Sequence, residues 1–561
     1  MALQRTEQRR HPCSLDGLAS ARPARGQPGP HDRYETNPLT TSDETLPDLE
    51  SLLAVDATQL NPEAAFTHTA LLIDAGIDAG SAIALDHAEI ALDRLEALQL
   101  PDEVAARLQY FRANMWSARS DMAGETSTWD WRLPTTEHEV LALRRAVRHP
   151  GFASLPPLAR GQTFTNLGNR LNGLGRFVEA VEAWDRALVE EPRMAMARGN
   201  RGFGLGFYGE ALYDPGHRGV FYVAAWEGLR SALSPDAILD SYGLDHALIG
   251  FGEAMKRLGE IIDVEQVKAA VDLDKGPLGR SKAERGYRRW CLAGRLMLNP
   301  LNDLGAFPIA ARDVLTLPTL TTSAADAPPA IAFFNLMKQE FVSARFSLYE
   351  GSRTDGVHHS DRDVLLYDTL DYPLFTYRVE QVKGAFRAAY ALLDKTAFLL
   401  NSHFQLGHNV RQVNFRNVWF GRDGALHPRL TEAPNWALRG LYWLSKDVYE
   451  RQFKAVMEPD AEAMYDLRNH LEHKFVAVHD GALWPDMMFT GTTAAHEGLL
   501  HVAHDELTRR TTRMLRLARA ALIYLSLGIH ADERHRAATA PRGRTGSLPL
   551  FTVRDQAKRS S

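Results

Sequence analysis

Between residues 161 and 192, large and small apolar residues alternate in a pattern that suits a pair of closely crossed helices. Phe164, Leu167, Gly168 and Leu171 recur at helical spacing, and Ala180, Trp184 and Ala187 do the same. The small side chains at 168, 180 and 187 permit close crossing, while Phe164 and Trp184 fill the space between the helices. Pro192 ends the second helix. Such a pair cannot bury its apolar face alone, and roughly three stacked units are needed for stability. The chain is therefore expected to begin its folded part as a stack of helices.

The same positions, Phe164, Leu167, Gly168, Leu171, Ala180, Trp184, Ala187 and Pro192, match the tetratricopeptide (TPR) consensus at its offsets. Gly202 follows Gly168 by 34 residues, so a second unit begins near residue 195, although the pattern is lost after Leu205. Upstream, 66–98 and 103–120 read as alanine- and leucine-rich helices of similar rhythm. Residues 49–320 are thus predicted to form a divergent TPR-like repeat domain, an architecture that commonly binds a peptide or a partner protein.

With 561 residues the chain has room for two or three domains, each with its own core. A net charge of −6 gives no global pull towards nucleic acid, so any such site must be a local patch. Cys13 and Cys291 are the only cysteines, which excludes a disulfide framework and a cysteine-built zinc site and fits a reducing cytosol. Residues 520–529 are the longest apolar stretch near the C-terminus and are too short to span a bilayer, so no membrane segment is expected. Residues 1–48 carry Arg9-Arg10 without an apolar run behind it, so they predict disorder rather than a secretion signal. Residues 531–561, with Arg534, Arg536, Arg542, Arg544 and Lys558, predict a mobile basic tail.

A linker is expected over 318–330, followed by a helical bundle at 321–530. Its helices are predicted at 332–350, 377–400, 436–457, 459–478 and 494–527. The aromatic, β-branched run 413–420 before Gly421-Arg422-Asp423-Gly424 is compatible with a short hairpin. The fold class is accordingly all-α, with a small β insertion.

The fourth of these helices holds the grouping Arg468-Asn469-His470-Leu471-Glu472-His473. Glu458-Pro459-Asp460 suits a helix start, and Met464, Leu467, Leu471, Phe475 and Val478 form one apolar stripe. At ~100° per residue, Arg468 flanks that stripe while Asn469 and His473 lie roughly opposite its centre. His473 is thus expected to face solvent or a partner, with the Asn469 amide one turn away to orient it. A histidine can move the proton of a 2′-hydroxyl, and an arginine fork can hold charge on a phosphate. The alternative is an ordinary surface: an Arg468–Glu472 pair and a solvated histidine.

Three runs together, Asn166-Leu167-Gly168-Asn169 with 175–180, Tyr287-Arg288-Arg289-Trp290-Cys291-Leu292, and Arg468 to His473, resemble a bacterial subgroup with TPR-like repeats before a HEPN domain. The arginine–polar–histidine spacing is similar to the R-x4–6-H motif of the HEPN superfamily. The resemblance implies a metal-independent endoribonuclease with Arg468, Asn469 and His473 as catalytic residues, RNA as substrate, no cofactor, and a homodimer in which two motifs face each other. It also implies a role in RNA processing, as a toxin or in antiphage defence, with the TPR-like half as sensor or regulator. A non-catalytic adaptor binding RNA or protein remains the alternative.

Two further surfaces invite attention. Arg509, Arg513 and Arg516 share one face of the last helix and could track an RNA backbone, or be a solvated basic face. His470, His473, His479, His496, His501 and His504 suggest a metal, yet His496-Glu497 lacks the histidine at 500 that a zinc-binding H-E-x-x-H needs. No metal site is predicted. His358-His359 are assigned to a polar loop, and no chemistry is assigned to 220–320.

Overall fold

A computed structural model describes residues 48–239, 245–321, 329–353, 356–367, 372–457, 461–480, 498–539, 549–553 and 555–558. Residues 1–47, the helix start expected at 458–460 and the His496-Glu497 pair lie outside them.

The N-terminal half is a series of helices joined by short turns. They are α1 (Pro62–Ala79), α2 (Ala82–Glu96), α3 (Asp102–Met122), α4 (Pro134–Arg148), α5 (Pro157–Gly173), α6 (Phe177–Glu190), α7 (Ala195–Ala211) and α8 (Pro215–Ala232). Each packs on the next, so neighbours run antiparallel. Sequence sets the breaks: Gly80 ends α1 in the left-handed region, and Ser81 caps α2 by accepting the Ala84 N–H. In the α5–α6 pair a methyl on Gly168 would come within 2.6 Å of the Trp184 ring, and one on Gly204 of α7 within 2.3 Å. Trp184 is therefore held between glycines of two helices, and its indole N–H donates to Asn169 Oδ1 at 3.0 Å. Helix α6 ends at Glu190, two residues before Pro192.

After α9 (Asp245–Ile261) and α10 (Lys282–Ala293) come 3-10 turns at Pro300–Asp303 and Pro308–Ala310, and then the bundle of α11 (Pro329–Gly351), α12 (Tyr377–His403), α13 (Trp436–Tyr449), α14 (Ala461–His473) and α15 (His504–Thr539). Helix α11 packs along α12, and α12 and α13 pack on α15. From Leu517 to Ile529 every residue of α15 is buried, as befits a central helix, and its polar members Arg519 and Ser526 are both hydrogen-bonded. By length and composition α15 could cross a membrane, but 83% of its apolar window is buried inside the fold.

Several boundaries differ from expectation. The motif helix stops at His473, and Phe475–His479 forms β1, paired in parallel with β2 (Leu499–Ala503) in the register Phe475↔Leu499 to His479↔Ala503. Val476 and Val478, with the aromatic Phe475, favour the strand, whose far end is buried (Val478 1% exposed) while Phe475 at its start is 74% exposed. Phe475 therefore does not belong to the helix's apolar stripe. The last helix starts at His504 rather than 494 and continues through Thr539, into the segment expected to be a mobile tail. Residues 415–419 are turns, and the expected hairpin is reduced to a Phe420↔Leu426 bridge around Gly421–Gly424.

One continuous apolar core runs through both halves. Its polar centre is Asp447 of α13, 1% exposed. Arg144 of α4 meets it with N···O distances of 2.5 and 3.0 Å, and Arg176, in the turn before α6, at 2.5 Å. Arg176 also donates to Glu179 at 2.8 Å, Glu179 accepts from the Tyr524 hydroxyl of α15, and that hydroxyl accepts the Val178 N–H at 3.1 Å. Burial would raise the Asp447 carboxyl, but Arg144 and Arg176 outweigh it and hold it at about 2. Beside this hub the backbones touch. Gly175 (φ +84°) faces Gly440, where a methyl would lie 2.0 Å from the Gly175 carbonyl oxygen.

Two measurements check this junction. Asp447→Ala leaves Arg144 without its carboxylate and Arg176 with Glu179 alone, and should cost ~3–5 kcal/mol in chemical denaturation, while Gly440→Ala should cost ~1–3 kcal/mol through the backbone clash. Because the folded pKa of Asp447 is depressed, its contribution is full above the unfolded value of ~3.9 and is lost as pH falls towards ~2. The Asp447→Ala difference should therefore shrink on acidification from pH ~5; a constant difference would show that the charge pairs are not what is lost.

Candidate functional site

Helix α14 places its residues as its periodicity dictates. Met464, Leu467 and Leu471 are buried, Arg468 and Asn469 are half-buried, and His473 is exposed at the last helical position. The Arg468 guanidinium lies 5.7 Å above the Tyr390 ring of α12 and donates to Asn469 Oδ1 at 3.2 Å. Burial pushes the Tyr390 phenol up to about 12, so it stays a neutral, polarisable face beneath the cation.

The Asn469 amide therefore engages Arg468, and among the described residues it makes no bond to His473, contrary to expectation. His473 itself has no hydrogen bond or ion pair among those residues. The ordinary Arg468–Glu472 pair is not formed either: Glu472 faces Arg387 of α12 at 4.0 Å, and Arg387 donates to the Leu471 carbonyl at 2.7 Å. His470, the other imidazole of the grouping, points inward with Nδ1 2.8 Å from the Asp466 carbonyl oxygen. The motif thus offers a fixed cation, an adjoining amide and a solvent-facing imidazole.

The remaining histidines fall into separate places. His479 and His501 are paired across β1 and β2, with 2.9 Å between Nε2 and Nδ1 and the rings stacked. One metal-like grouping was missed by sequence reasoning: His403, Asp532 and Glu533 have ligand atoms within 4.8 Å of one another. Arg536 already binds both carboxylates there, at 2.8 and 3.8 Å, supplying the positive charge a cation would bring. The separation of His403 from Asp532 in the chain left no local signal for it.

The predicted basic row is divided. Arg509 is exposed but takes both oxygens of Glu506 at 2.8 and 2.9 Å. Arg513 and Arg516 turn to Glu182 of α6 at 3.5 and 3.2 Å, and Arg516 also donates to the Gly294 carbonyl at 2.9 Å. The row is not a continuous solvent-facing track, because α15 lies against α6 along that face. Burial would raise the Glu182 carboxyl, but Arg513, Arg516, Arg186 and Arg295 hold it at about 2.

No curated protein and no solved structure matches the chain. Residues 321–532, which span α11 through most of α15 and contain Arg468, Asn469 and His473, match the family model for LA2681-like HEPN domains.

Proposed function

We propose that the C-terminal domain cleaves RNA by attack of a 2′-hydroxyl on the neighbouring phosphodiester. The observation that carries this reading is the Arg468-Asn469…His473 grouping within the region matched to HEPN domains, with His473 exposed at the end of α14. His473 takes the 2′-hydroxyl proton, O2′ bonds to phosphorus as the P–O5′ bond breaks, and the imidazolium gives its proton to the departing 5′-oxygen, leaving a 2′,3′-cyclic phosphate and a 5′-hydroxyl. Arg468 holds the charge that builds on the non-bridging oxygens. Every atom of this step comes from RNA and side chains, so the proposal includes no metal.

Arg468 and His473 are ~140° apart around the helix and ~7.5 Å apart along it, which aims them at different places. A second copy facing the first brings the arginine of one motif to the histidine of the other, so the active form in this reading is a homodimer. The stacked helices of the N-terminal half, read as TPR-like, present a surface for a peptide or protein that targets or regulates the nuclease.

Purified full-length protein incubated with total RNA in EDTA should give cyclic phosphate ends, and His473→Ala should lower the rate at least ~10²-fold. His473 is exposed, so this variant should melt within ~1 kcal/mol of the parent, whereas Leu471→Ala in the core should lose ~2–5 kcal/mol. Equal cleavage by parent and His473→Ala would remove the catalytic role; RNA or partner binding without cleavage by either would identify an adaptor. Light scattering should report a dimer at assay concentration, and full activity in a monomer would contradict the shared site.

A further inference from the structure

Arginines from three parts of the chain converge at the seam between the two halves. Glu182 and Asp185 lie one turn apart on α6. Glu182 is approached by Arg513, Arg516 and Arg186 at 3.5, 3.2 and 3.5 Å. Asp185 is shared by Arg201 at 2.6 Å and by Arg295. The neighbouring Asp303 is already matched by Arg519 at 2.6 Å. Guanidiniums therefore outnumber carboxylates here, and positive charge is left over.

The bonding shows the same surplus. A carboxylate offers about four acceptor sites and each guanidinium five donors, so Glu182 cannot satisfy the arginines around it. Its contacts are longer than the ~2.7–2.9 Å usual for charge-assisted bonds and than the 2.5 Å Arg176–Asp447 contact nearby. The buried Nε of Arg513 has no acceptor among the described residues. Burial lowers the pKa of Arg516, and Arg513, Arg295 and Arg186 add to the lowering against the opposing pull of Glu182.

Arg295 adds a second kind of observation. It has φ +54° just beyond α10, where its N–H bonds the Leu292 carbonyl at 3.1 Å and the Leu296 N–H bonds the Cys291 carbonyl at 2.8 Å. Glycine is the usual residue at this type of helix stop. An arginine is held there in an unfavourable backbone conformation, and its side chain is delivered to the patch.

We infer that this patch is a binding site for a phosphate group, held by Arg295, Arg513 and Arg516, with the ligand either a free nucleotide or polyphosphate or the backbone of RNA. Planar guanidiniums suit phosphate oxygens through paired N–H donors. Glu182 stays ionised and spaces the arginines, and the phosphate takes the donors that Glu182 leaves unmet. The site sits on α6 of the repeat half and α15 of the bundle, so its occupant touches both.

The test uses full-length protein carrying His473→Ala, so that binding is read without cleavage and independently of the nuclease proposal. Inorganic tripolyphosphate, ATP and a short 2′-O-methyl RNA are titrated at low salt against this protein and against versions that add Arg295→Gly or Arg516→Gln. Glycine suits φ +54°, so Arg295→Gly should melt no lower than its parent while removing the guanidinium. Each added substitution should weaken binding ~10-fold and flatten its salt dependence. Weakened binding of tripolyphosphate or ATP identifies a free phosphate ligand, and weakened binding of RNA alone identifies a backbone phosphate. Failure of all three probes to bind, or binding that both substitutions leave unchanged, overturns the inference.

Discussion

Asp447 sets the terms on which this chain folds. A carboxylate with 1% exposure is costly unless its charge is met, and here the partners come from α4 and from the turn before α6, far away in sequence. Neither half satisfies the hub alone: the bundle would bury an unpaired anion, and the N-terminal half would bury Arg176, itself 1% exposed, with Glu179 as its remaining partner. The Gly175–Gly440 contact fixes the approach to backbone distance, and Tyr524 of α15 closes the network from the far side. The N-terminal helices are therefore a wall of the bundle's own core and not a module on a flexible tether.

That dependence also marks what sequence could reveal. Local periodicity was sufficient for the helices around Gly168 and Trp184, and for the placement of Leu467 and Leu471 inside and His473 outside. It was insufficient wherever the deciding partner lay elsewhere in the chain. Arg513 and Arg516 share a face by spacing, but only packing shows that Glu182, more than 300 residues away, occupies it. Phe475 and Val478 fit a helical stripe as well as a strand. The parallel pairing with Leu499–Ala503 chooses the strand, and a two-stranded parallel pair has no turn signal to announce it.

The run 287–292, legible only as part of a resemblance, turns out to be a clamp. Tyr287 accepts from Arg345 of α11 at 2.9 Å, and Arg345 binds both oxygens of Asp313 at 2.8 Å. Cys291 is buried beside them, and burial pushes its thiol up to about 11, so it behaves as an apolar filler and not as a nucleophile. The segment that carried no assignable chemistry thus anchors the first bundle helix to the N-terminal half. Its neighbour Arg295 is placed by the same turn, which ties the surplus charge at the seam to this clamp.

The motif and the seam are linked by elements without slack. His473 ends α14, β1 follows after a single residue, β2 pairs with it along its length, and α15 begins at the residue after β2. Helix α15 then carries Arg513 and Arg516 to α6 and Tyr524 to the hub. A displacement of α15 against α6 must therefore move β2, and through the paired strand it must move the end of α14. Contiguous packing thus runs from the solvent-facing imidazole of the motif to the arginines gathered around Glu182 and Asp185.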